Sequence, residues 1–309
     1  MPGAYAHMTL VNILSEPSRL EAIPSFPESA ISSVLDYFKY CELGAVSPDY
    51  PYLAVGSSSA AQWADLMHYQ NTGDVIKNSI EILRNETGET QRKALAWVLG
   101  YSAHVAMDVT IHPVVELKVG TYELNKTAHR VCEMNQDAFI FQRLNLGEVG
   151  LSEHLDSGIS ACSATANEQD LDEDIIKIWS QALQTVYSNE FETNPPDINH
   201  WHGRFRLMVD NVAEEGNKLM PLARHVAVGH GLTYPSLDDV EDQYILQLNT
   251  PNGPMDYNDI FDVAVNNVSK VWGWVASGVI DNNDSYKSNI GNWNLDTGRD
   301  ESEKFVFWG

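Results

Sequence analysis

His104, Asp108 and His112 stand four residues apart within Tyr101-Ser-Ala-His-Val-Ala-Met-Asp-Val-Thr-Ile-His112. His129 and Glu133 repeat that spacing twenty-five residues after His104. On a helix, side chains four apart lie one above the other on one face. Zinc takes imidazole nitrogen and carboxylate oxygen at about 2.0 to 2.2 Å, so such a pair can aim two donors at one ion. One histidine and one carboxylate at this spacing is a weak sign, because both are common on solvated helix faces. Three donors in one helical register, followed by a second pair, make a stronger one, since two facing helices could then hold ions between them.

Further donors lie upstream. His7 sits in the apolar run Ala6-His7-Met8-Thr9-Leu10-Val11, where a histidine standing alone reads as a hydrogen-bonded core residue. Asp49 follows Ser47-Pro48, a position that also suits an ordinary turn or cap carboxylate, and His68 comes after Asp65. Cys41, Cys132 and Cys162 are odd in number and show no CxxC spacing, which argues against a disulfide framework and a thiolate zinc site. His200-Trp-His202, and His225 with His230, miss helical ligand spacing and read as structural or surface residues.

The elements that must position these groups read as helices. Leu95, Val98, Leu99 and Val105 recur at helical spacing across 94–111, as do Ile76, Ile80 and Leu83 upstream. Leu171 to Tyr187 and Ile260 to Val275 are further helices by the same criterion, and few runs alternate as strands do. Turns are expected at Ser47-Pro48-Asp49, Gly73-Asp74, 85–88, Asn194-Pro195-Pro196 and Pro251-Asn252-Gly253-Pro254. The reading is an all-α domain, a helical bundle or orthogonal packing. A helical domain that carries the candidate ligands is assigned to 1–235 and a helical extension and tail to 236–309, the latter ending Phe305-Val306-Phe307-Trp308 and able to pack back.

Of 309 residues, 43 are Asp or Glu and 19 Lys or Arg, a formal charge of −24. Such a surface repels polyanions, so nucleic acid is not an expected partner. No apolar stretch reads as the roughly 18 to 20 residues of a bilayer span. The first residues lack a basic region followed by a long apolar one, so the chain is expected to be made in the cytoplasm and, if it acts outside, to leave by a route independent of a classical signal peptide.

Taken together, the order His7, Asp49, His68, His104-x3-Asp108, His112 and His129-x3-Glu133 resembles the zinc-dependent phospholipase C family. Its relatives include the amino-terminal domain of glycosylphosphatidylinositol phospholipase D and, more distantly, the S1/P1 nucleases. The interval of eight from His104 to His112 is similar to the phospholipase D version, and the stretch Ala6 to Asn12 is similar to the family's first histidine and its helix. The resemblance covers roughly residues 4 to 137 and implies a multi-helix bundle of the phospholipase C and P1 nuclease type with a C-terminal extension.

Carried over by position, the resemblance implies that Asp49, His68, His104 and Asp108 hold one zinc, that His112, His129 and Glu133 hold a second, and that Asp108 bridges. In the family a third zinc uses the first histidine, here His7, with the bridging aspartate and the amino-terminal residue of a processed chain. Six residues precede His7 here, so a third site is expected to draw on Pro2 after loss of Met1, on a backbone carbonyl or on water, or to be missing. The implied reaction is hydrolysis of a phosphatidylcholine-like phospholipid, at a membrane surface or as monomer, to diacylglycerol and a phosphorylated head group. Asp49 would orient or deprotonate the attacking water, and Tyr50 would meet a quaternary ammonium group. Two alternatives stay open: a single-strand nuclease with Trp63, Trp97 and Tyr101 as base-stacking residues, and a helical binding module that keeps zinc for structure.

Overall fold

A computed structural model describes residues 3–146, 158–215 and 234–308. The described chain is mostly helical: α1 (Ala4–Leu14), α2 (Pro17–Ala22), α3 (Glu28–Asp36), α4 (Phe38–Val46), α5 (Ser58–Tyr69), α6 (Thr72–Leu83), α7 (Gly88–Val119), α8 (Tyr122–Phe141), α9 (Glu173–Val186), α10 (Ser188–Thr193), α11 (Ile198–Glu215), α12 (Tyr257–Ile280) and α13 (Tyr286–Asn289). A 3-10 segment, Ser47–Leu53, joins α4 to α5. The one sheet among the described residues is a hairpin, β1 (Leu248–Thr250) and β2 (Gly253–Met255), paired antiparallel with Leu248 opposite Met255. It folds at the turn expected from Pro251 to Pro254.

The axis of the bundle is α7, buried from Lys93 to Val115. Its 18-residue apolar window reaches a mean hydropathy of 1.3, so on length and composition this helix could cross a bilayer. That corrects the expectation that no stretch comes near such a length. The window is wholly enclosed by protein, as befits a core helix, and it carries His104, Asp108 and His112.

Other elements pack on this axis at distances their residues permit. A Cβ added to Gly44 would fall 2.1 Å from the Trp97 carbonyl, and one added to Gly100 would fall 2.0 Å from that of Cys41. The backbones of α4 and α7 therefore touch where two glycines face each other. α12 lies along α7, and Trp272 Nε1 donates to the Leu99 carbonyl at 2.8 Å. α7 ends at Gly120, whose φ of +87° is a conformation that side chains resist, and α8 turns back within two residues. Cys41, Cys132 and Cys162 are free and buried, in line with a site built from nitrogen and oxygen.

The segment after α12 crosses the bundle as a strap. Thr72 Oγ1 donates to the Trp293 carbonyl and accepts from its amide, Leu295 N donates to the His68 carbonyl at 3.1 Å, and Trp308 Nε1 donates to that of Thr110 at 2.7 Å. Pro113 lies inside α7 and lacks the N–H that the Val109 carbonyl would ordinarily receive. Gly298, at φ +66°, sits directly against that carbonyl and the Pro113 ring, where any Cβ would collide at 2.4 Å.

Candidate metal centre

α1 contributes His7, the 3-10 segment Asp49, α5 His68, α7 His104, Asp108 and His112, and α8 His129 and Glu133. All eight are buried, at 0 to 6 % exposure, in the middle of an apolar core. The His7 and His104 rings stack at 4.1 Å, and the His68 ring meets His104 edge-on at 5.6 Å. Asp108 turns one oxygen to His7 Nε2 at 3.2 Å and the other to His104 Nε2 at 3.4 Å. Asp49 Oδ1 lies 3.4 Å from His68 Nε2.

Two triads of donor atoms result, His7-His104-Asp108 and Asp49-His68-His104, each with its atoms within 4.8 Å of one another. His104 is common to both, whereas the resemblance gave the shared place to Asp108. His112, His129 and Glu133 do not close into a third such triad among the described residues. His129 Nδ1 is 3.9 Å from Glu133 Oε1, and His112 Nδ1 faces Asp296 Oδ1 at 3.4 Å. Pro2, named for a third site after loss of Met1, lies outside the described residues, as do His225 and His230.

Several rings have their far nitrogen tied down. His68 Nδ1 lies 2.6 Å from the Ala64 carbonyl, His104 Nδ1 2.8 Å from that of Ala45, and His129 Nε2 2.6 Å from that of Gly120. A carbonyl accepts only from N–H, so each contact fixes the tautomer and aims the other nitrogen's lone pair inward. Both nitrogens of His7, Asp49 Oδ1, His104 Nε2, both Asp108 oxygens, His112 Nε2 and His129 Nδ1 are buried with no hydrogen bond of ordinary geometry. Each such atom would cost about 1 to 3 kcal/mol if left unmatched. Their convergence, with only the long His–Asp contacts above between them, suits a divalent cation that can take several of these lone pairs at once.

Protonation follows from the same geometry. Burial pushes the Asp49 carboxyl up, but His68 contact and the charge of His104 outweigh it and hold it below the carboxylate range. Asp108 is held well below its ordinary value in the same way, the charge of His104 overcoming burial. Burial, aided by the charge of His104, brings His7 down to about 4. Burial also disfavours the His104 cation, yet Asp108 and Asp49 raise it above the usual value. The cluster thus offers ionised carboxylates and a neutral His7 to a cation.

A family model described as zinc dependent phospholipase C matches residues 6–189, more than half of the chain. The chain belongs to the zinc-dependent phospholipase C family. No curated protein and no solved structure matches it. Family membership makes it a hydrolase of a zinc-dependent class, and its two buried triads can hold metal ions. The matched span includes all eight proposed donors but ends well before the strap.

A cleft of about 880 Å³ opens beside the centre, with His129 the one proposed donor in its wall. Tyr52, Asp65, Tyr69, Tyr122, His129 and Asp296 are among its lining residues. Tyr50 is not one of them, which corrects its assignment to a head group. Its ring is fully buried, 5.5 Å from Phe205 and 6.3 Å from Trp179, with its hydroxyl 3.2 Å from His202 Nδ1. Tyr52, two residues on, faces the cleft and hydrogen-bonds Asp65 at 2.6 Å. Trp63, Trp97 and Tyr101 are likewise enclosed in the core, so they offer no face for base stacking. Asp296 was missed by the sequence reading. Its only local signal is the turn sequence Asn294-Leu-Asp296-Thr-Gly298.

Proposed function

We propose that the protein is a phospholipase C that cleaves phosphatidylcholine-like lipids to diacylglycerol and a phosphorylated head group, using two or three zinc ions. The observation that carries this reading is the cluster of buried ligand atoms together with a cleft that shares His129 with the donor set and whose wall joins tyrosines to carboxylates. In this reading His7, His104 and Asp108 hold one ion, Asp49 and His68 with His104 border a second, and His112, His129 and Glu133 serve a further position. Zinc bound there supplies the positive charge and the acidification of water that an anionic phosphodiester requires.

The chain's own groups do the rest. Asp49, ionised and buried, presents Oδ1 to the attacking water, orients it and accepts its proton. The three cleft tyrosines, with Asp65 nearby, suit a quaternary ammonium group, whose charge is attracted both to aromatic faces and to carboxylates. The depth of the donors excludes bulk water from the phosphorus once the head group has entered.

The test combines metal analysis with turnover of a chromogenic phosphocholine ester, phosphatidylcholine vesicles and single-stranded RNA. Two or more zinc ions per chain and release of phosphocholine are expected. His104→Ala removes the residue common to both triads and is expected to reduce activity by more than 100-fold, beyond what loss of a group that merely orients a ligand brings. Fewer than two zinc ions, intact activity in His104→Ala, or RNA cleavage without lipid cleavage would overturn the assignment.

A further inference from the structure

His112 differs from the other ring donors on α5, α7 and α8 in what steadies it. His68, His104 and His129 each rest their far nitrogen on a backbone carbonyl of their own or an adjoining segment. His112 instead turns Nδ1 toward a carboxylate at 3.4 Å, that of Asp296, while its Nε2 stays buried without a hydrogen bond. Asp296 comes from the strap, 107 residues beyond the end of the family match at residue 189.

The carboxylate and the loop that bears it are both held. Tyr69 donates its hydroxyl to the second oxygen at 2.7 Å. Asn294 Oδ1 accepts from the amides of Asp296 and Thr297 at 3.0 and 3.1 Å, which fixes the loop at its tip. On one side Leu295 N is bonded to the His68 carbonyl, and on the other Gly298 is seated on α7 beside Pro113. Asp296 is thus keyed to the helices that bear His68 and His112, with only 18 % of its side chain exposed.

We propose that Asp296 is a positioning residue for the metal centre: it sets the tautomer and tilt of His112 so that Nε2 faces the metal, and its charge makes that imidazole a better donor. A carboxylate paired with the far nitrogen of a ligating histidine acts in this way, and its loss typically weakens metal binding about 10- to 100-fold. The strap therefore completes the site that the matched region begins. The inference rests on the zinc reading given above, because it assigns His112 Nε2 to a metal.

The experiment titrates zinc into metal-free protein against a chromophoric chelator and records the visible spectrum of the cobalt-substituted protein, for wild type, Asp296→Ala, Asp296→Asn and Tyr69→Phe. The expected result is full zinc stoichiometry in wild type, one ion weakened about 10- to 100-fold in Asp296→Ala with a changed cobalt spectrum, and partial recovery in Asp296→Asn, which keeps an acceptor for Nδ1–H but not the charge. Tyr69→Phe is expected to have a smaller effect, since it leaves the carboxylate in place. Wild type that binds no zinc overturns the metal reading itself. Wild type that binds zinc while Asp296→Ala and Asp296→Asn, folded by circular dichroism, bind it equally well with an unchanged spectrum overturns the role of Asp296 alone.

Discussion

Tyr50 and Tyr52 are two residues apart and occupy opposite worlds: one packed among Trp179, His202 and Phe205, the other lining the cleft. Tyr50→Phe should therefore lower stability by about 0.5 to 1.5 kcal/mol, the worth of its contact with His202, while leaving kcat/KM unchanged. Chemical denaturation and steady-state kinetics on one preparation check both. Asp137 carries a pH dependence of its own. Burial raises its carboxyl to about 7 even though Tyr234 and the Ala6 amide donate to it. Between about pH 4 and pH 7 the folded chain holds a proton that the unfolded chain has lost, so this residue stabilises below the unfolded value and that contribution is lost as pH rises through 7. At about 1.4 kcal/mol per unit, Asp137→Asn should gain on wild type by a few kcal/mol between pH 4 and pH 8, measured as denaturation midpoints of metal-free protein. His104, Asp108 and His112 stood out because four-residue spacing survives in any helix, whereas His7, Asp49 and His68 have no such spacing and were placed by the resemblance alone. Tyr50 was misread because chain position says nothing of which way a 3-10 segment turns its rings.

At the level of elements, the contact of α4 with α7 does two jobs. It brings glycine against glycine, and it delivers the Ala45 carbonyl to His104 Nδ1. Gly100→Ala would force the two backbones apart, at a cost of about 1 to 3 kcal/mol or more. It should also shift that carbonyl, so thermal unfolding and zinc titration are expected to worsen together. A loss of stability with zinc affinity intact would separate packing from site geometry. The helices around 94–111, 171–187 and 260–275 were readable from apolar period, and each proves to run several residues further or to start slightly later, where capping rather than period decides. The apolar extent of α7 was underrated because its histidines and aspartate interrupt the run in sequence, yet all face inward here. How the strap would fold was not readable. Its polar, Asn-rich sequence has no period, and its course is set by hydrogen bonds to residues two hundred positions away.

Over the whole molecule, a charge of −24 surrounds a site proposed to act on lipid. Long-range repulsion should slow the approach to anionic vesicles relative to zwitterionic ones at low salt. The gap should close as the Debye length shrinks from about 10 Å at 0.1 M toward 3 Å at 1 M. Rates of head-group release from both vesicle types across that range test it, and a preference for anionic vesicles at low salt would show that the local field of the site prevails. The centre also draws on both halves of the chain, from His7 in the first helix to Asp296 in the strap. Synthesis runs from the first of these to the last, and the early helices can associate while later residues are still being added. The proposed brace on His112 can therefore form only once the strap has been made. A chain not yet extended to residue 296 would carry both triads but hold the proposed His112 zinc position more weakly.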